Sequence, residues 1–110
     1  MGNEELARTL LYEFAKILEV DSKAVVDAHQ SSDLEALASA THKIKGAAGN
    51  LGIQNIQESA LNLEKTAKEN GTDDLPCLLE KLLESSNAFI AYVKENYSDP
   101  ANKILSLIHI

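Results

Sequence analysis

The chain has 110 residues, with 17 acidic and 10 basic side chains and a formal net charge of −7 at pH 7. This length suits one domain with one core. The acidic balance argues against nucleic acids and anionic membranes as partners. Hydrophobic residues make up 45% of the chain but aromatic residues only 5%, so the core must be mainly aliphatic, which suits a helical bundle.

The sequence also bears on the compartment. No stretch approaches the roughly 20 apolar residues that a membrane-spanning helix needs, and the polar, acidic N-terminus does not resemble a signal peptide. The single cysteine, Cys77, permits no internal disulfide and suits a reducing compartment. We therefore expect a cytoplasmic protein, and we expect this segment to make no contact with a membrane.

Two helices are predicted before residue 31. Asn3 is suited to cap the first, with acidic residues in its first turn. Asp21 is suited to cap a second helix over about residues 21–30. The apolar side of the first helix is predicted to be Leu6, Leu10, Phe14 and Ile17.

A third helix is predicted to begin at a capping box, with Ser32 at the N-cap and Glu35 three residues on. It ends near Gly52, a residue suited to a left-handed C-terminal position. Steps of three and four residues place one stripe towards a bundle core. That stripe consists of Leu34, Leu37, Thr41, Ile44, Ala48 and Leu51.

Two further helices follow. The fourth is predicted to end at Gly71, and the fifth to begin after Asp73 or Asp74 with Pro76 in its first turn. Their inner faces are predicted to be Ile53, Ile56, Ala60, Leu63 and Ala67, then Leu75, Leu79, Leu82, Ser86, Phe89 and Val93.

The predicted fold class is all-α, because no stretch shows strand-like alternation. Short connections favour antiparallel neighbours, so we expect an up-down antiparallel four-helix bundle with an additional short N-terminal helix. The bundle would occupy residues 1–98, since Pro100 indicates a helix stop. Residues 99–110 form a tail with an apolar cluster, which is either an extension left by cloning or a further segment that packs on the bundle.

The third helix carries an unusual run from Thr41 to Gly52. Glycine in a helix interior costs roughly 0.8–1.0 kcal/mol relative to alanine, yet Gly46 and Gly49 both lie there. On a helical wheel His42 is roughly 130° from the core stripe, and Lys45 and both glycines lie on its side. These residues predict an exposed imidazole with open space and a cation beside it. Such an imidazole is nucleophilic near neutral pH, and a phosphoryl group would need both the space and the charge.

The segment HKIKGAAGNLG, residues 42–52, resembles the signature of histidine-containing phosphotransfer (HPt) domains. In this resemblance His42 takes the phosphoacceptor position, Lys45 the basic position three residues on, and Gly46 the position that leaves room for the phosphoryl group. Ala47 stands where the family often has serine. Leu51 and Gly52 match the last two residues of the family signature.

The resemblance implies a phosphorelay intermediate. Nε2 of His42 would accept a phosphoryl group from the aspartate of one receiver domain and pass it to another receiver, or back. The chain has no nucleotide-binding loop, so the resemblance implies a carrier without its own kinase or ATPase activity and without a cofactor. Mg²⁺ would belong to the receiver. The chain is either a free-standing carrier or one module of a hybrid sensor kinase.

We expect receivers to dock on small residues around His42, namely Ala38, Ser39, Gly49 and Asn50, with part of the helix over 21–30 at the rim. Other interpretations remain for single residues. Lys45 alone could be an ordinary surface lysine, and the glycines could serve close helix packing. A non-catalytic helical module that docks receivers is the alternative function. A metal-binding bundle is poorly supported, because the chain has no Glu-x-x-His pair.

Overall fold

The computed structural model describes residues 2–96, with side chains from residue 5 onward. It contains α1 (Gly2–Gln30), α2 (Leu34–Leu51), α3 (Gln54–Lys68) and α4 (Leu75–Asn96), and these residues include no strand. The all-α prediction is therefore confirmed. The predicted tail, residues 99–110, lies outside the described residues. Within them, no helix combines the length and the apolar character that crossing a membrane requires.

The prediction of a separate short N-terminal helix is wrong. Asp21 does not cap a new helix but lies inside α1, which continues without a break to Gln30. The buried stripe passes through the predicted boundary, because Ser22 is buried between Leu18 and Val25. No glycine or proline interrupts residues 3–30. Asp21 has the side chain of a good N-cap, but cap chemistry alone does not start a new helix where the buried stripe continues.

The prediction of which residues in the N-terminal half of α1 face the core is also wrong, except for Phe14. Phe14 is buried and its ring lies 5.4 Å from that of Phe89 on α4. Leu6, Leu10 and Ile17 are exposed. This half of α1 carries apolar residues on two stripes, each at helical spacing, so that periodicity alone could not select the inner one. The stripe that is buried consists of Phe14, Ala15, Leu18, Ser22, Val25 and Ala28.

The ends of α2 differ from the prediction at the first residue only. The N-cap is Asp33, whose side chain accepts a hydrogen bond from the Ala36 N–H at 3.0 Å. The capping box from Ser32 is therefore wrong by one residue, since Ser32 adopts a left-handed conformation with φ 55° in the turn from α1. The predicted C-terminal role of Gly52 is confirmed, with φ 72°.

The faces of α3 and α4 follow the predicted spacing. All but two of the predicted inner residues are buried, while Ile53 and Phe89 are half-buried. Helix α3 ends at Lys68, earlier than predicted, and the left-handed residue after it is Asn70 (φ 57°) rather than Gly71. Helix α4 starts directly after Asp74, one of the two predicted caps.

The four helices close a ring of contacts. Helix α2 packs against α1 and α3, and α4 packs against the same two helices. The connections span residues 31–33, 52–53 and 69–74. This packing leaves one face of α2 free of the core and brings the C-terminal half of α3 alongside it.

The continuity of α1 predicts the effect of a proline at Lys23, an exposed position. In a continuous helix, Lys23→Pro removes a hydrogen bond and clashes with the preceding turn, which costs about 3 kcal/mol or more. In the first turn of a separate helix a proline would be tolerated. Chemical denaturation of Lys23→Pro and of the control Lys23→Ala measures the difference. Equal free energies of unfolding for the two variants would contradict a continuous α1.

Candidate functional site

The imidazole of His42 is exposed on α2. Its side chain retains 64% of its accessible surface, although Thr41 next to it is fully buried. The Thr41 hydroxyl donates to the carbonyl oxygen of Leu37 at 2.9 Å, which satisfies this polar group inside the core. The core stripe thus fixes the rotation of α2 and turns His42 towards solvent, as the helical spacing indicates.

A buried carboxylate on α3 contacts the ring. Glu64 is 3% exposed, and its Oε2 lies 2.8 Å from Nδ1 of His42. Sequence reasoning missed this residue. A signal was present, because Glu64 lies four residues after Ala60 and three before Ala67, a spacing that continues the buried stripe of α3. A glutamate at a core position needs partners, and their identity depends on the neighbouring helix.

Two lysines share the same carboxylate. Nζ of Lys45 lies 2.7 Å from Oε1 of Glu64, and Nζ of Lys68 lies 3.2 Å from Oε2. A buried carboxylate is costly unless it is paired and hydrogen-bonded, and here three donors from two helices meet it. Lys68, like Glu64, was not singled out in the sequence. The predicted cation beside His42, Lys45, is present and holds Glu64.

These contacts determine the protonation of Glu64. Burial alone would raise its pKa, but hydrogen bonds from Lys45, Lys68 and His42 outweigh burial and lower the pKa from 4.5 to about 2. The carboxylate is therefore ionised at neutral pH, when it has no proton to donate.

The ionised state of Glu64 assigns the protons of His42. Because the carboxylate only accepts, the 2.8 Å contact requires the proton to be on Nδ1. In the neutral ring the lone pair is then on Nε2, the nitrogen directed away from this contact. The arrangement presents a nucleophilic nitrogen to an incoming electrophile without prior loss of a proton.

The two glycines of α2 have different surroundings. A Cβ built on Gly46 would have no atom within 4 Å, so Gly46 leaves open space one turn from His42. A Cβ on Gly49 would lie 2.8 Å from Nε2 of Gln57 on α3. Gly49 therefore leaves room for the flexible end of the Gln57 side chain, which gives it a local packing role at α3.

A groove of about 510 Å³ adjoins His42 between α2 and α3. Two of the four predicted docking residues, Ala38 and Ser39, line it, whereas Gly49 and Asn50 do not. Ala38 is buried, and Ser39 and Asn50 are exposed. The full lining is Leu34, Glu35, Ala38, Ser39, His42, Glu64, Ala67, Lys68 and Asn70. The wall opposite α2 is thus α3, and residues 21–30 do not contribute to it.

No group of three or more His, Cys, Asp or Glu side chains in residues 2–96 is placed to hold a metal ion. His29 lies in the last turn of α1, and Cys77 is exposed.

Comparisons with known proteins identify one relationship. A family model described as the Hpt domain matches residues 5–97, which is most of the chain and includes every residue of the site. No curated protein matches the chain, and no solved structure matches it.

The low pKa of Glu64 predicts how stability depends on pH. Because this pKa is about 2 in the folded protein against an ordinary 4.5, ionised Glu64 favours folding above about pH 4.5. That contribution, on the order of 3 kcal/mol, is lost as the pH falls towards 2. Denaturation of wild type and Glu64→Gln from neutral to acid pH should give a stability difference that shrinks over this range. The exposed residue Glu58 provides the control Glu58→Gln, and a difference between wild type and Glu64→Gln that is constant with pH would contradict the assignment.

Proposed function

The chain belongs to the Hpt domain family, whose role is histidine phosphotransfer in phosphorelays, and we propose that His42 is the residue that carries the phosphoryl group. His42 would accept it from a receiver-domain aspartate and pass it to a second receiver, or back. The observation that carries this proposal is the contact of Nδ1 with the buried, ionised Glu64 at 2.8 Å, because it leaves Nε2 as the nucleophile.

The proposed transfer balances without any movement of protons. The Nε2 lone pair attacks phosphorus, the bond from phosphorus to the aspartyl oxygen breaks, and the aspartate leaves as a carboxylate. The ring becomes an Nε2-phosphorylated imidazolium that still carries its Nδ1 proton. In the reverse direction the P–N bond breaks and its electron pair returns to Nε2. A relay that moves in both directions requires this symmetry.

Lys45 and Gly46 support the transfer in different ways. Gly46 leaves the space that a phosphoryl group beside His42 would occupy. Lys45 keeps Glu64 ionised. Its positive charge would also favour the negatively charged phosphoryl group on His42. The receiver would supply Mg²⁺ and most of the transition-state stabilisation, so that this chain serves as a carrier without kinase or ATPase activity.

The proposed docking surface surrounds His42. Its residues are Ala38, Ser39, Gly49 and Asn50, and the groove that Ala38 and Ser39 line extends it to α3. In-line transfer needs close approach of the imidazole nitrogen to the aspartate, which the small side chains allow. Residues 34–68 carry four lysines against three glutamates, whereas the chain as a whole is acidic, and this local balance suits an acidic partner surface. Docking without transfer is the alternative.

We also propose that the bundle has up-down antiparallel topology. Two pairs of contacts support it for α2 and α3, since His42 meets Glu64 whereas Gly49 meets Gln57. Residue numbers thus rise along one helix as they fall along the other. The short connections favour the same arrangement for the remaining pairs.

We propose further that the protein is cytoplasmic and that receivers are its partners. It is either a free-standing carrier or one module of a hybrid sensor kinase.

Replacement of His42 tests the acceptor directly. His42→Gln should abolish acceptance of the phosphoryl group from a phosphorylated receiver and leave the protein folded, because the side chain is outside the core and Lys45 and Lys68 still pair with Glu64. Acid-labile, base-stable label measures acceptance, and circular dichroism measures folding. The matched control is His29→Gln, which should accept label normally. Label that persists in His42→Gln, or disappears in His29→Gln, would contradict the assignment.

Two substitutions of Gly46 separate helix stability from space. Gly46→Ala meets no atom within 4 Å and should stabilise the protein by up to about 1 kcal/mol. Gly46→Gln should also fold, but its longer side chain should occupy the phosphoryl position and slow transfer strongly. Stability from denaturation and transfer rates from a labelled receiver give the two quantities. A normal rate for Gly46→Gln would show that this space is not used.

A further inference from the structure

We infer that Glu64 keeps the Nδ1 proton on His42 after phosphorylation, so that the phosphohistidine remains an imidazolium at and above neutral pH. This inference rests on the proposed function and extends it to the charged state of the carrier. Glu64 is then a positioning residue that controls how readily the phosphoryl group leaves.

The geometry provides an acceptor that is specific for the protonated ring. Oε2 of Glu64 lies 2.8 Å from Nδ1 and the carboxylate is buried. An ionised carboxylate accepts hydrogen bonds and donates none. If the phosphorylated ring lost its Nδ1 proton, two lone pairs would face each other at this distance, next to a negative charge. The contact therefore favours the imidazolium over the neutral phosphorylated ring.

The other charged groups around the contact come from both helices. Lys45 on α2 and Lys68 on α3 bond to Glu64, and Glu35 on α2 lines the groove beside His42. Lys65 of α3 and Glu69, the C-cap of that helix, line a second hollow that Lys45 and Glu64 also border. The lysines oppose a positive ring through their charge, but they also keep Glu64 ionised. Neither lysine can replace it as acceptor, because an ammonium group only donates.

The Nδ1 proton determines the leaving group. When the P–N bond breaks in a ring that carries this proton, the electron pair returns to Nε2 and neutral imidazole leaves. Without the proton the leaving group is an imidazolate anion, which is far more basic and leaves more slowly. A ring kept protonated by Glu64 thus transfers its phosphoryl group at a rate that changes little with pH near neutrality.

Glutamine at position 64 is the informative replacement. Its amide can accept from a protonated Nδ1 or donate to an unprotonated Nδ1, so it satisfies both states of the ring and keeps the shape of the side chain. Loss of the charge should lower the pKa of Nδ1 in the phosphorylated ring by about one unit or more. The phosphohistidine of Glu64→Gln should then be longer-lived above neutral pH.

The experiment uses phosphoramidate, which phosphorylates imidazole without a receiver. Wild type, Glu64→Gln and the exposed control Glu58→Gln are labelled, and ¹⁵N and ³¹P NMR follow His42 from about pH 6 to about pH 10. Phosphohistidine lifetime is measured over the same range. We expect the Nδ1 proton to be lost at lower pH in Glu64→Gln than in the other two proteins. Equal pKa values in all three would overturn the inference.

A second measurement covers the case in which Glu64→Gln does not fold. In wild type alone, Nδ1 of phosphorylated His42 should deprotonate at higher pH than Nε2-phosphorylated free histidine, and equal or lower values would overturn the inference. Failure of a phosphorylated receiver to label His42, while phosphoramidate labels it and the pKa shift is present, would overturn the proposed function only. If phosphoramidate does not label His42, Nε2 is not an accessible nucleophile and both proposals fail.

Discussion

The carboxylate of Glu64 accepts hydrogen bonds from three side chains on two helices. Its oxygens lie 2.8 Å from Nδ1 of His42, 2.7 Å from Nζ of Lys45 and 3.2 Å from Nζ of Lys68. Burial disfavours the negative charge of Glu64, but the three hydrogen bonds stabilise that charge by more than burial costs. Because the carboxylate is ionised, it orients the imidazole and assigns its proton. Without it, nothing in this contact would select the tautomer that carries its proton on Nδ1.

The packing of α2 on α3 makes this contact possible. Glu64 follows Leu63, which is fully buried, so the core fixes the rotation of α3 and directs Glu64 towards α2. Gly49 leaves room between the helices for the end of the Gln57 side chain. The same helix surface therefore serves stability and chemistry, with apolar residues at the centre of the contact and the charged cluster at its edge.

Local periodicity predicted most of the fold, because an apolar stripe at helical spacing is a property of one segment. It predicted the exposure of His42, and the freedom of glycine predicted the left-handed turn at Gly52. The prediction failed in α1, where Asp21 was read as the cap of a new helix although the helix continues through it. It also missed Glu64, since a contact between helices depends on their register, and no segment encodes that register alone. The sequence singled out His42 as the proposed nucleophile, whereas the contact that orients its ring, with Glu64, is visible only in the tertiary structure.

The tautomer of His42 in the unphosphorylated protein tests this account most directly. Long-range ¹H–¹⁵N NMR of histidine-labelled protein distinguishes protonated from unprotonated ring nitrogens at a pH where the imidazole is neutral. The account predicts a proton on Nδ1 and a lone pair on Nε2 for His42. A neutral ring protonated on Nε2 would contradict it, because the nitrogen facing Glu64 would then have no proton to donate and Nε2 would not be the nucleophile.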